Sequence, residues 1–71
     1  MLVVFLDRVL TKPGVGEIRL RAGVFSKRVS SVWFVPEQRS TRYEVAVDAV
    51  EELMAAESLE QAMKVVRAHS V

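Results

Sequence analysis

Basic side chains with aromatic residues nearby are the part of this sequence that can carry chemistry. A guanidinium group donates two parallel hydrogen bonds to a phosphate, and each neutralised phosphate also releases counterions. An aromatic ring near such groups can stack on an unpaired base. These residue types predict a nucleic-acid-binding surface, and its candidate residues are Arg19, Arg21, Lys27, Arg28, Arg39, Arg42 and Trp33.

The distribution of charge supports this interpretation more than the net charge of +1 does. Residues 12–42 hold seven basic and two acidic side chains, whereas residues 43–71 hold two basic and six acidic ones. A basic segment followed by an acidic segment points to a polyanionic partner for the first. The alternative is that the arginines only keep an exposed sheet face solvated, while Trp33, Phe34 and Tyr43 pack in the core.

Residues suited to catalysis or metal binding are few. The chain has no cysteine, and His69 is its only histidine. The acidic residues of the C-terminal part are interpreted as the solvated side of amphipathic helices, since no histidine or aspartate is spaced to join them as metal ligands. We therefore expect no catalytic residue, no metal site, no cofactor and no enzymatic activity.

Strands must position the basic residues. Charged residues alternate with Ile18, Leu20 and Ala22, so residues 17–22 are predicted to form a strand with one face on the core. Residues 27–35 are rich in β-branched and aromatic side chains and stop at Pro36, which predicts an inner strand. Residues 24–26 are expected to connect these two strands.

Two further strands are predicted. Residues 2–10 are almost continuously apolar, which is typical of a strand with both faces covered. Pro13 and Gly14 supply the central positions of a type II turn after it. Tyr43, Val45 and Val47 alternate with other residues over 42–47, which predicts the fourth strand.

The hydrophobic period changes from two to about 3.6 after residue 47. Asp48 with Glu51, and Ser58 with Gln61, are both spaced like capping boxes. The first apolar stripe, which contains Val50, Leu53 and Met54, stops near Glu57. We expect two helical segments with a break there, and one bent helix is the alternative.

The second helical stripe contains Leu59, Met63 and Val66, which are the candidate oligomer-interface residues. Packing against the sheet is the alternative for each of them. A chain of 71 residues with 51% hydrophobic composition has a small core and leaves apolar area for a partner to cover. A homo-oligomer is therefore expected, and a dimer is favoured.

These elements predict a single α+β domain over residues 1–71. Residues 1–47 form a four-stranded antiparallel sheet, and residues 48–71 form one bent or two short helices packed on one face. Short connections favour a meander. The apolar run at residues 1–6 is too short to cross a bilayer and has no basic leader, so a cytoplasmic protein without membrane contact is expected.

Three stretches carry a resemblance to a known family. Ile18-Arg19-Leu20-Arg21, residues 28–37, and residues 43–47 leading into a capped helix resemble the single-stranded-DNA-binding domains of the positive cofactor four and whirly families. The resemblance spans residues 17–56 and is mainly one of element order. It implies phosphate contacts at Arg19, Arg21, Lys27, Arg28 and Arg42, pairing of two copies, and a role in transcription regulation.

The sequence thus predicts a small protein, not an enzyme, that binds single-stranded DNA or RNA through a basic sheet surface with weak sequence preference. The alternative function is a protein-interaction or dimerisation module with no nucleic-acid role.

Overall fold

Four strands and two short helices make up the fold. The computed structural model describes residues 1–33 and 37–71. Its strands form one antiparallel sheet of order β3-β2-β1-β4, and both helices contribute to a core on one face of that sheet, here called the helix face. The predicted α+β class, a four-stranded antiparallel sheet followed by C-terminal helices, is confirmed. The elements are β1 (Leu2–Lys12), β2 (Val15–Ala22), β3 (Phe25–Val32), β4 (Arg39–Val45), a 3-10 helix (Val47–Ala49), α1 (Val50–Ala55) and α2 (Leu59–Ala68).

The strand order differs from the predicted meander at its last step. The first three strands follow one another as neighbours, but β4 returns to pair with β1, which is the order of a Greek key. Within the described residues β3 pairs only with β2, so its assignment as an inner strand is wrong. β1, which is apolar on both faces, takes an inner position instead, because an inner position suits an apolar strand better than one with basic and hydroxyl side chains.

The strand β3 also ends earlier than expected and contains a bulge. It stops at Val32, and the last residues assigned to it, Phe34 and Val35, lie outside the described part of the chain together with Pro36. Its pairing register shifts where Ile18 faces Ser30 and Arg19 faces Arg28, which leaves Val29 as the extra residue. The bulge shifts the alternation by one residue, so Val32 packs on the core while Arg28 pairs with Arg19 on the opposite face of the sheet.

Both hairpin turns depend on a glycine with positive φ. Gly14 has φ +77°, the conformation that the third position of a type II turn requires, and it follows Pro13 as predicted. Gly23 has φ +60° and joins β2 to β3. This second turn is tighter than expected, because β3 already begins at Phe25.

The hydrophobic core lies between the helix face of the sheet and the two helices. Its most deeply buried large side chains come from three strands and from α1, and they are Leu20, Leu53, Val4 and Val45. Leu53 is buried as its stripe predicts, but its neighbour Met54 is 51% exposed. Only part of the first helical stripe therefore packs on the sheet.

Two helices with a break between them are confirmed. Ala56, with φ −63° and ψ 130°, ends α1 in an extended conformation. Ser58 caps α2: its Oγ accepts a hydrogen bond from the Gln61 N–H at 3.2 Å, while Gln61 Oε1 accepts one from the Glu57 N–H at 2.7 Å. These contacts stop one helix and start the next.

The predicted cap at Asp48 is wrong. The helical region begins one residue earlier, as a 3-10 turn from Val47 to Ala49, and no side-chain cap bond is made there or at the start of α1. No helix in the described residues has the length and apolar character needed to span a membrane.

Replacing the buried residue of α1 tests this packing. We expect Leu53→Ala to lower the free energy of unfolding by about 2–5 kcal/mol, because it leaves a cavity under the sheet. Met54→Ala, the matched control in the next position, should change it by about 0.5 kcal/mol or less. Urea denaturation measures both, and equal losses would contradict the packing of α1.

Candidate nucleic-acid interface

The face of the sheet opposite the helices, here called the outer face, collects four of the seven predicted binding residues. Cross-strand partners share a face of a sheet. Arg19 pairs with Arg28, and Phe5 pairs with both Arg21 and Arg42. The outer face thus carries guanidinium groups on β2, β3 and β4, and it gathers Arg19, Arg21, Arg28 and Arg42, four of the six basic residues predicted for one surface.

Arg21 is held by the most extensive set of contacts on this face. Its Nε lies 2.9 Å from Asp7 Oδ2 and its Nη2 lies 3.4 Å from Asp7 Oδ1. Its Cζ sits 4.3 Å from the centroid of the Phe5 ring, a cation–π contact. The Ser40 hydroxyl donates to Asp7 Oδ1 at 2.5 Å. Asp7 therefore links β1 to β2 and to β4.

The pKa of the Asp7 carboxyl is lowered from its ordinary value. The hydrogen bond from Arg21 is the largest cause, burial opposes it, and the hydrogen bond from Ser40 adds to the lowering. The same bond raises the pKa of the Arg21 guanidinium. Both groups are charged at neutral pH, so they form an ion pair between β1 and β2.

The other three arginines are held less firmly. Arg19 contacts Glu17 Oε2 at 3.2 Å and donates to Ser26 Oγ at 3.0 Å. Arg28 lies 3.9 Å from Glu17 and its side chain is 61% exposed. Arg42 lies 3.2 Å from Glu44 and is 54% exposed. Ion pairs this exposed contribute little to stability, so Arg28 and Arg42 are the most accessible cations of the face.

Carboxylates reduce the charge of the outer face. Its four arginines are matched by Asp7, Glu17 and Glu44, which leaves a net charge of +1. The sequence predicted the arginines but not these partners. Asp7 was the detectable signal, because a carboxylate inside an apolar strand needs a partner when it is partly buried.

Lys27 and Arg39 do not join this surface. Lys27 pairs with Leu20 on the helix face, and its Nζ donates to the carbonyl of Met54 at 2.9 Å and to that of Ala56. It thereby satisfies carbonyls at the C-terminal end of α1, a structural role. Arg39 pairs with Arg8, which shares the helix face with Leu6.

Trp33 is accessible. It follows the end of β3, is 87% exposed, and lines a shallow groove with Val15, Ser31 and Val32. The alternative that it packs in the core is therefore excluded. Tyr43 is half-buried against the core, so the alternative of core packing holds for this residue. It is therefore a poor stacking partner for a base.

The candidate oligomer-interface residues belong to the chain's own core. Val66 is 4% exposed, and Leu59 and Met63 are half-buried against the same cluster. The stripe of α2 therefore packs on the sheet, which was the alternative for these residues, and little of it is left for a second copy.

The acidic residues of the helical region lie across the core from the outer face. Glu52 contacts His69 Nε2 at 2.9 Å, which links α1 to the residue after α2.

Among residues 1–33 and 37–71, no group of three or more histidine, aspartate or glutamate side chains is placed to hold a metal ion.

Comparison of the chain with protein-family models, with curated proteins and with solved structures finds no match.

The contacts of Asp7 predict a pH-dependent stability. The pKa of Asp7 is lowered in the folded protein. The stabilisation that its ionised form gives to the fold is therefore complete above its ordinary pKa of 3.8 and is lost as the pH falls through its lower pKa in the folded state. Asp7→Asn should therefore be less stable than the wild type at pH 7, and the difference should shrink in strong acid.

Urea denaturation at a series of pH values measures this difference. Asp48→Asn is the matched control, since Asp48 makes no side-chain hydrogen bond to another described residue. A constant difference between wild type and Asp7→Asn down to strong acid would contradict the role given to Asp7.

Proposed function

We propose that this chain binds single-stranded nucleic acid, DNA or RNA, through the outer face of its sheet. The observation that carries the proposal is the gathering of Arg19, Arg21, Arg28 and Arg42 on the one sheet face that the helices leave open. Arginine suits phosphate because its planar fork donates paired hydrogen bonds. The resemblance to single-stranded-DNA-binding domains implies the same function.

The arginines of the outer face have different roles in this proposal. Arg21, with its bidentate contact to Asp7 and its position over Phe5, keeps neighbouring strands in register. Arg28 and Arg42 lie on the two outermost strands, which are about 14 Å apart at a spacing of about 4.8 Å per strand. A phosphate backbone that crosses the strands contacts both, and exchange of Glu17 and Glu44 for phosphate releases their guanidinium groups.

Single strands fit this surface better than a duplex. Trp33, exposed beside the shallow groove at the end of β3, offers a ring on which an unpaired base can stack. The Ser26 hydroxyl on the outer face accepts a hydrogen bond from Arg19, so its own proton remains as a neutral donor near the arginines. Such contacts do not distinguish bases, so weak sequence preference follows.

The modest net charge of the face sets the expected affinity. Because each arginine has a carboxylate beside it that competes with phosphate, we expect binding to be weak at physiological salt and to strengthen as salt is lowered. A strongly basic protein would behave differently, because its cations have no neighbouring carboxylates that compete with phosphate.

A salt titration tests the phosphate contacts. Affinity for a fluorescent oligothymidylate should fall with salt on a double-logarithmic plot, and each lost phosphate contact should flatten the slope by about 0.7. We expect the double variant Arg28→Ala, Arg42→Ala to flatten it by about 1.4, since it removes two contacts.

The double variant Lys64→Ala, Arg67→Ala is the control, because it removes the same charge from the exposed side of α2. Its slope should stay at the wild-type value. The proposal is rejected if the wild type does not bind at low salt, or if the two double variants behave alike.

Trp33 tests the stacking contact independently. Trp33 is the only tryptophan of the sequence, so we expect the tryptophan fluorescence of the protein to be quenched when an oligonucleotide binds. Trp33→Ala should weaken binding by about 1–3 kcal/mol, the cost of losing one stacked base, whereas Trp33→Phe should retain most of the affinity. Val24→Ala, which alters another exposed apolar side chain, is the control. Equal affinities of wild type and Trp33→Ala would remove Trp33 from the site.

A further inference from the structure

The outward side of β3 (Phe25–Val32), here called the β3 edge, offers a second binding surface. We propose that it binds an extended acidic peptide segment of another protein, which adds to the sheet as a fifth strand. This inference goes beyond the proposed function, because it uses the backbone of an edge strand and a partner that is a protein.

The β3 edge is open within the described residues. β3 pairs with β2 on one side, and no described segment pairs with it on the other. An edge strand presents a row of unpaired N–H and C=O groups, and an extended peptide that adds to the sheet satisfies them. Main-chain hydrogen bonds then supply affinity, and side chains supply selectivity.

The opposite edge of the sheet, β4, is partly covered by the C-terminal segment of the chain. Near the end of β4, Val45 forms a bridge with Ser70. The Ala46 N–H donates to the His69 carbonyl at 2.9 Å, and the Val71 N–H donates to the Glu44 carbonyl at 3.2 Å. The C-terminal segment thus already occupies part of the β4 edge, which leaves β3 as the more open of the two.

Charge selects an acidic partner over a second copy of this chain. β3 contains two basic residues and no acidic residue; Lys27 is held at the end of α1, and Arg28 is the one exposed on the outer face. Two copies of β3 would therefore bring basic strands together, whereas directly opposed unlike charges are favourable. Arg28 can take such a partner because it is 61% exposed and lies 3.9 Å from Glu17.

The two faces of the sheet define the side-chain pattern of the peptide. Arg28 lies on the outer face, so acidic side chains of an added strand belong on that side. Val29 and Val32 pack on the helix face, so apolar side chains belong on the other. The groove of Val15, Ser31, Val32 and Trp33 at the end of β3 can take one further apolar side chain. The partner is therefore a segment in which acidic and apolar residues alternate.

Two synthetic peptides with blocked ends test the proposal. One alternates valine with glutamate and the other alternates valine with lysine. We expect the glutamate peptide to bind the wild-type protein and to slow amide hydrogen exchange in β3, as measured by NMR, and the lysine peptide not to do so. Absence of binding, or protection confined to β4 or the helices, would overturn the proposal.

Charge reversal on two outer-face arginines separates this proposal from nucleic-acid binding. Arg28→Glu should weaken binding of the glutamate peptide about five-fold or more and should allow the lysine peptide to bind. Arg42→Glu, the matched control on β4, should leave peptide binding unchanged. Both variants should weaken oligonucleotide binding, so each proposal can fail without the other.

The same spectra decide whether a second copy is the occupant. Self-association through β3 would appear as protection of β3 amides that increases with protein concentration in the absence of peptide. That result would overturn the acidic-peptide assignment in favour of a homo-oligomer joined at this edge.

Discussion

Pairing of β1 on both of its sides is the constraint on which the rest of the structure depends. β1 pairs with β2 through a hairpin on one side and with β4 on the other. Val4 and Leu6 of this strand are buried on the helix face, while Phe5 and Asp7 lie on the outer face. β1 and β2 are the two inner strands, so β3 and β4 become the edges of the sheet. The positions of the arginines and of the open backbone edge both follow from this order.

The ion pairs of the outer face have two effects that oppose each other. Asp7 joins Arg21 and Ser40 and so connects three strands, which supports the register of the sheet. The same carboxylates lower the net charge that the face presents to a polyanion. If the face binds nucleic acid as proposed, the contacts would be weak, reversible and salt-sensitive, because the neighbouring carboxylates compete with phosphate for the same guanidinium groups.

Arg28 is the residue where the two proposed surfaces meet. It belongs to the outer face through its pairing with Arg19 and to the β3 edge through its position on the outermost strand. A nucleic acid and an acidic peptide would both draw on its guanidinium group. Since one such group cannot fully satisfy both ligands, the two proposed modes of binding would compete. Such competition would couple a protein partner to the nucleic acid without any change in the fold.

Local features of the sequence by themselves determined the elements. Period-two alternation predicted β2 and β4, and runs of apolar, β-branched and aromatic residues predicted β1 and β3. Pro13 and Gly14 predicted the first turn, and Ser58 with Gln61 predicted the break between the helices. Each signal depends on neighbouring residues alone. Only the tertiary structure decided that β4 returns to β1, that a bulge at Val29 reverses the faces of β3, and that Trp33 is exposed. These outcomes depend on contacts between residues far apart in the chain, and the competition among alternative pairings leaves no trace in local periodicity.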